Sequence, residues 1–197
     1  MGTFTLGCAV WTCRDWLGNL YPAKTQSRDF LRLFGQRFNA VEGNTTFYAV
    51  PPVSTLEKWK RETPEAFRFC LKIPRDFSHQ GDVWPHAEAI VSFHDHAEAI
   101  LGDRLGPFFL QLPESYGPAQ GPDLSRVLNQ WRRRCSTDIN VELRHPSWFA
   151  EGELRQRLLT MLTRLNTGQV ILDTRPVYEG PGMPCPCLRT RNRASPC

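Results

Sequence analysis

FFLQLPESYGPAQGPDLSRVLNQWRRRCSTDINVEL, residues Phe108–Leu143, decides the fold. The apolar run Phe108–Leu112 reads as a strand buried on both faces. After a Pro/Gly-rich turn, Leu124, Val127, Leu128 and Trp131 recur at helical spacing, and Ile139–Leu143 is a second apolar, β-branched run. Two buried strands joined through a helix form a parallel crossover unit, because a hairpin turn cannot connect parallel neighbours. The same alternation extends outward. Further strands are predicted at Phe4–Ala9, Ala40–Val41, Phe67–Ile73 and Gln169–Leu172. Helical spacing marks Phe30, Leu33, Phe34 and Phe38 behind Ser27 as N-cap. It marks Leu56 and Trp59 behind an apparent capping box, Ser54–Glu57, and the long run Ala87, Ile90, Phe93, Ala97, Ile100 and Leu101. A last helix carries Leu154, Leu158, Met161 and Leu165. Six strands alternating with helices demand a mainly parallel sheet covered by helices.

The strand centres recur about every 33 residues, the length of one unit of a (β/α)8 barrel. The turn after the first strand, Gly7-Cys8-Ala9-Val10-Trp11, carries neither a G-x-G-x-x-G fingerprint nor a Walker loop. A TIM-type (β/α) barrel is therefore expected over a nucleotide-binding open sheet. Eight such units need about 264 residues, whereas the chain has 197. The expected domain is thus a partial barrel over residues 1–178, about six of eight units, followed by a disordered tail over 179–197 rich in Pro, Arg and Cys. A natural six-stranded open fold is the alternative.

Composition narrows the function classes. Hydrophobic residues make up 41% and charged residues 22%, which excludes disordered, collagenous and coiled-coil chains. No apolar run approaches the roughly 18 residues of a membrane span and no signal peptide opens the chain, so no membrane association and a cytoplasmic location are expected. The formal charge of +4 carries little weight, because 20 of the 24 basic residues are Arg and three of them lie in the tail. Seven cysteines without a secretory signal read as thiols, and Cys185-x-Cys187 is too tight for the usual zinc spacing.

Candidate chemistry gathers where strands end, because barrel active sites sit at that face. Strand two leads into Glu42, Asn44 and Thr46; strand three into Lys72, Arg75 and His79; strand four ends at Gln111. Strand five ends at Glu142, Arg144 and His145, and strand six at Asp173. An ionisable residue on a buried strand is costly unless it points into a mouth or meets a partner. Glu42, Glu142, His145 and Asp173 are the candidate catalytic residues, as acid, base or, less favoured, divalent-metal ligands. Asn44, Lys72, Arg75, Gln111 and Arg144 are the candidate substrate-binding residues. Structural ion pairs of Glu42 with Lys72 and of Glu142 with Arg144 or Arg75 are the bland alternative. Lys72 could also be a Schiff-base lysine, less favoured than an ion pair. His86, His94 and His96 are expected to be solvated, Arg132–Arg134 to be a surface run closing a helix, and the loop aromatics mostly to pack the rim.

These residues carry a family resemblance. Trp16 with Tyr21-Pro22, Phe38–Tyr48, Phe67–Arg75 with His79, Phe109–Pro113 and Val141–Phe149 resemble, in order and at expected spacing, the YecE-like family (domain of unknown function 72), as does Asp173. The resemblance runs from about Thr3 to Tyr178 and implies a barrel related to (β/α)8 enzymes, with no settled reaction and no defined cofactor. Past Tyr178 the chain departs from the family's Tyr-x-Arg-x-His-Gly strand. Three readings follow: an enzyme acting on a small anionic or phosphorylated molecule, a nucleic-acid-binding barrel without catalysis, or an inactive truncated product. The oligomeric state is left open.

Overall fold

The computed structural model describes residues 5–172; the predicted tail and Asp173 lie outside them. Six parallel strands appear in chain order: β1 (Gly7–Cys8), β2 (Ala40–Gly43), β3 (Arg68–Leu71), β4 (Phe108–Gln111), β5 (Ile139–Glu142) and β6 (Gly168–Gln169). They form two three-stranded sheets, β1-β2-β3 and β4-β5-β6. Parallel bridges Phe69↔Leu105 and Lys72↔Phe109 join β3 to β4, with Ile73 N donating to Phe109 O over 3.0 Å. Order by sequence across all six strands is the arrangement of consecutive crossover units, not of a doubly wound sheet. The described residues form an α/β array of parallel sheets; they do not close into a barrel.

Helices α1 (Phe30–Phe34), α2 (Val53–Glu62), α3 (Arg75–Ser78), α4 (Ala87–Leu101), α5 (Gly121–Arg134) and α6 (Glu153–Arg164) fill the crossovers. α2 buries Leu56 and Trp59, and α5 buries Leu124, Val127, Leu128 and Trp131, the faces their spacing predicts. α5 closes on Arg132, Arg133 and Arg134, all exposed, where cations complement the helix dipole.

Several expectations need correction. Ser54–Glu57 is not a capping box: α2 starts at Val53 with Pro52 as N-cap, and the Pro52 carbonyl accepts from Thr55 N and Leu56 N. A proline ring fixes φ near the helical value, and entry occurs two residues early. Ser27 opens a 3-10 turn, Ser27–Asp29, and α1 begins only at Phe30, as tight turns often precede helices. β6 is two residues long; Ile171 and Leu172 are 88% and 62% exposed rather than in a strand. α4's histidines are not solvated. His94 is fully buried, its ring 5.2 Å from that of Trp131 and 5.6 Å from that of Phe108. His96 Nε2 lies 2.9 Å from Pro51 O.

Candidate functional site at the strand ends

Two strand ends create the centre of the site. β4 pairs with β5 so that Gln111 faces Glu142, and the Gln111 amide Nε2 donates to both carboxylate oxygens, over 2.9 and 2.8 Å. Arg144 Nε adds a third donor at 2.7 Å. Glu142 is 6% exposed, and these three donors satisfy its buried oxygens. Of the bland pairings, Glu142–Arg144 is present. Glu42–Lys72 is absent, since Lys72 Nζ makes no ion pair or hydrogen bond with any described residue.

Lys72 occupies the position after β3. Thr46, in the 3-10 turn Asn44–Phe47, locks its backbone: Thr46 Oγ1 lies 2.6 Å from Lys72 O and accepts from Lys72 N over 3.1 Å. The side chain is buried, and Nζ lies over two aromatic faces, 4.3 Å from the Phe47 ring centre and 5.3 Å from that of Phe109. Such faces attract a cation, but loss of hydration outweighs them. Burial pulls the Lys72 pKa below the ordinary lysine value, with Glu142 and Glu42 opposing and Arg144 adding to the fall.

Glu42, near the end of β2, is half-buried. Desolvation holds its pKa above the usual carboxylate value; Lys72 and a hydrogen bond from Asn44 oppose the rise, and Glu142 adds to it. Asn44 Nδ2 also donates to Ala9 O over 3.2 Å, tying the site to the loop after β1. His79 follows α3. Ser78 Oγ donates to Pro74 O, so at 2.8 Å it accepts from His79 Nδ1; this leaves Nε2 as a basic nitrogen. Burial first, then Lys72, Arg75 and Arg144, lower the His79 pKa and keep the ring neutral.

Glu42, Asn44, Lys72, Arg75, Gln111, Glu142 and Arg144 thus belong to one electrostatic neighbourhood. His145, next to Arg144, accepts from Ser147 N at its Nδ1 and caps the 3-10 turn Pro146–Trp148. A Cβ added at Gly117 would lie 3.2 Å from its ring. Asp173 falls outside the described residues. The sequence pattern does not point to Phe47 and Phe109 for this role: Phe47 reads as rim packing, and the uniformly buried β4 shows no alternation that reveals which way Phe109 points.

Two concavities, about 370 and 420 Å³, lie at the other end, where Ser136, Thr137 and Asp138 lead into β5. The first is lined by Arg68, Cys70 and Asp138 and the second by Arg132, Cys135, Asp138 and Arg164; burial pushes the Cys70 thiol up to about 11, away from the thiolate form. Metal-ligating groups come together on α4 instead, where His94, Asp95 and Glu98 offer ligand atoms within 4.8 Å of one another. His94 Nδ1 is 3.0 Å from Asp95 Oδ1, and the trio lies on the outer helix layer.

One consequence concerns Glu42. Its pKa is higher folded than unfolded, so stability is lost as pH rises through the folded value. Glu42→Gln removes that loss. It is expected to stabilise the chain near neutral pH by about 0.5–2 kcal/mol, and to change little at about pH 4, where both forms are largely neutral. Thermal melts across that range check it; curves that stay parallel would contradict the assignment.

The fold and these strand-end charges define a parallel α/β protein with a polar cluster where barrel enzymes carry their chemistry. The chain belongs to the family described as protein of unknown function DUF72, whose model matches residues 5–195 and so extends past Tyr178. It is 38% identical over 148 residues to the UPF0759 protein YecE of Escherichia coli K12, covering 75% of this chain and 53% of that protein. The UPF0759 protein YunF of Bacillus subtilis is 39% identical, over 79% of this chain and 56% of its own length. Solved DUF72 proteins from Enterococcus faecalis and Thermotoga maritima share the fold, with TM-scores of 0.69 and 0.65 at 23% and 24% identity. Each comparison covers 86% of this chain and 60% and 64% of those chains. The chain therefore spans little more than half the length of the curated relatives it matches. No helix of the described residues is long and apolar enough to cross a membrane.

Proposed function

We propose that the chain supplies six units of a (β/α)8-type barrel, works in the cytoplasm, and through its strand-end cluster turns over a small anionic or phosphorylated molecule. The observation that carries this reading is the convergence of Glu42, Lys72, Gln111 and Glu142 at the ends of four consecutive parallel strands. Each is buried or half-buried, a cost that a fold has no reason to bear four times without a ligand. Arg75 and Arg144, both exposed, supply donors for a phosphate or carboxylate. Glu42 is the proton donor and acceptor, its raised pKa placing it nearer neutral pH. His79 Nε2 is a second base. Glu142 holds Gln111 and aims Arg144.

The nucleic-acid reading draws no support from the aromatics. Trp11, Trp16 and Trp84 are half-buried and Trp148 is buried against Tyr116 O, leaving Tyr48 as the exposed ring of that set, at 80%. Base stacking needs open faces. The test of the enzymatic reading is depletion of a library of phosphorylated and carboxylated metabolites, followed by mass spectrometry. The wild-type chain is expected to consume at least one compound that folded Glu42→Gln leaves untouched. Equal consumption by both would remove Glu42 from the reaction, and consumption by neither would end the enzymatic reading.

A further inference from the structure

Lys72 is unusual even within its cluster. A buried ammonium normally carries a carboxylate partner, yet Nζ has no ion pair or hydrogen bond with any described residue. Arg144 takes the nearby carboxylate of Glu142 instead. The residue as a whole is 8% exposed. Its backbone is fixed on both sides by Thr46 Oγ1, so the amine is presented from a rigid strand end between two ring faces. An amine that is unpaired and rigidly held among apolar groups is the usual setting of a lysine nucleophile.

We propose that Lys72 Nζ forms an imine with the aldehyde or ketone carbonyl of a small anionic metabolite, a step that names the substrate class and rests on reading the strand ends as the active site. The neutral amine attacks the carbonyl carbon. A C–N bond forms, and the carbonyl π pair moves to oxygen, which takes a proton from Glu42. The nitrogen releases a proton to His79 Nε2, giving a neutral carbinolamine. Return of that proton to the hydroxyl lets it leave as water while the nitrogen lone pair forms C=N; the remaining N–H proton stays on the iminium or returns to Glu42 to give the imine. The exchange is one carbonyl and one amine for one imine and one water, redox-neutral and free of any cofactor. The iminium restores positive charge where Phe47 and Phe109 already favour it, and Arg144 and Arg75 are left to bind the anionic group. Burial of Lys72 keeps a larger fraction of the amine neutral than an exposed lysine has.

The chain provides its own controls, because it has four lysines. Lys24 is exposed, Lys58 pairs with Glu62 over 3.8 Å, and Lys60 donates to Ile100 O over 2.7 Å. The full chain is incubated with glyoxylate or glycolaldehyde phosphate and sodium cyanoborohydride near neutral pH, and each lysine peptide is quantified by mass spectrometry. Lys72 is expected to be labelled at least about tenfold faster than the other three, as an activated amine should be, and Lys72→Arg to remove the fast phase while leaving the slow labelling unchanged. Uniform labelling, or Lys72 as the slowest site, would overturn the proposal. Phosphate binding separates the two claims. Binding that depends on Arg144 without selective labelling sinks the imine alone. Selective labelling without phosphate binding, with neutral glycolaldehyde reacting as fast as glyoxylate, sinks the anionic substrate class.

Discussion

Glu142→Ala is expected to destabilise the chain by about 2–3 kcal/mol, since a buried carboxylate takes three hydrogen bonds with it and such bonds are worth roughly 1.5–3 kcal/mol each before relaxation. Gln111 is 7% exposed and would be left with a buried amide and no acceptor in place. Arg144 would suffer less, because its side chain is 36% exposed and can turn into water. That difference keeps the expected loss below the 3–5 kcal/mol typical of breaking a fully buried pair. Glu142→Gln keeps an acceptor and should cost less than half as much. The pair of variants, melted in denaturant, separates charge from hydrogen bonding. Equal midpoints for Glu142→Ala and wild type would show that the Gln111–Glu142–Arg144 arrangement holds nothing.

The second large effect lies on the opposite side of β4. Phe108 is fully buried, and its ring meets those of Phe93 at 5.4 Å, Trp131 at 5.0 Å and His94 at 5.6 Å. It is the side chain that seats both α4 and α5 on the sheet. Phe108→Ala opens a cavity that those rigid rings cannot fill, so a loss of about 3–5 kcal/mol is expected, or a fall in Tm of roughly 6–20 °C at 2–4 °C per kcal/mol. Leu154→Ala, on a residue 47% exposed, should change stability by no more than about 0.5 kcal/mol. A Phe108→Ala Tm close to that of Leu154→Ala would contradict the packing described.

β3, β4 and β5 were legible because each is buried on both faces or nearly so, and a short apolar run between turns has little else to become. The ends of these strands were legible too, since Glu42, Lys72, Gln111 and Glu142 interrupt apolar runs. Register was not. That Lys72 bridges to Phe109, and so has a ring rather than a carboxylate beside it, depends on how β3 meets β4, which no local pattern encodes. His94 departs from its expected solvated state for a different reason. Ile90, His94, Ala97 and Leu101 follow the buried face of α4 at helical spacing, and a polar residue in that series is buried with the face. His145 follows its strand as a site residue would, and the Pro146–Trp148 turn takes its Nδ1 as a cap, a contact set by local hydrogen bonding.

The most direct test of the central claim, that the strand-end cluster is an anion-binding active site, is calorimetric titration of the chain with inorganic phosphate. It is performed on wild type, Arg75→Gln and Arg144→Met. Loss of one charged donor costs about 1.5–3 kcal/mol, so each variant is predicted to bind at least about tenfold more weakly than wild type, with binding weakening as salt rises. Phosphate affinity that is unchanged in both variants, or absent from the wild-type chain, would contradict the claim.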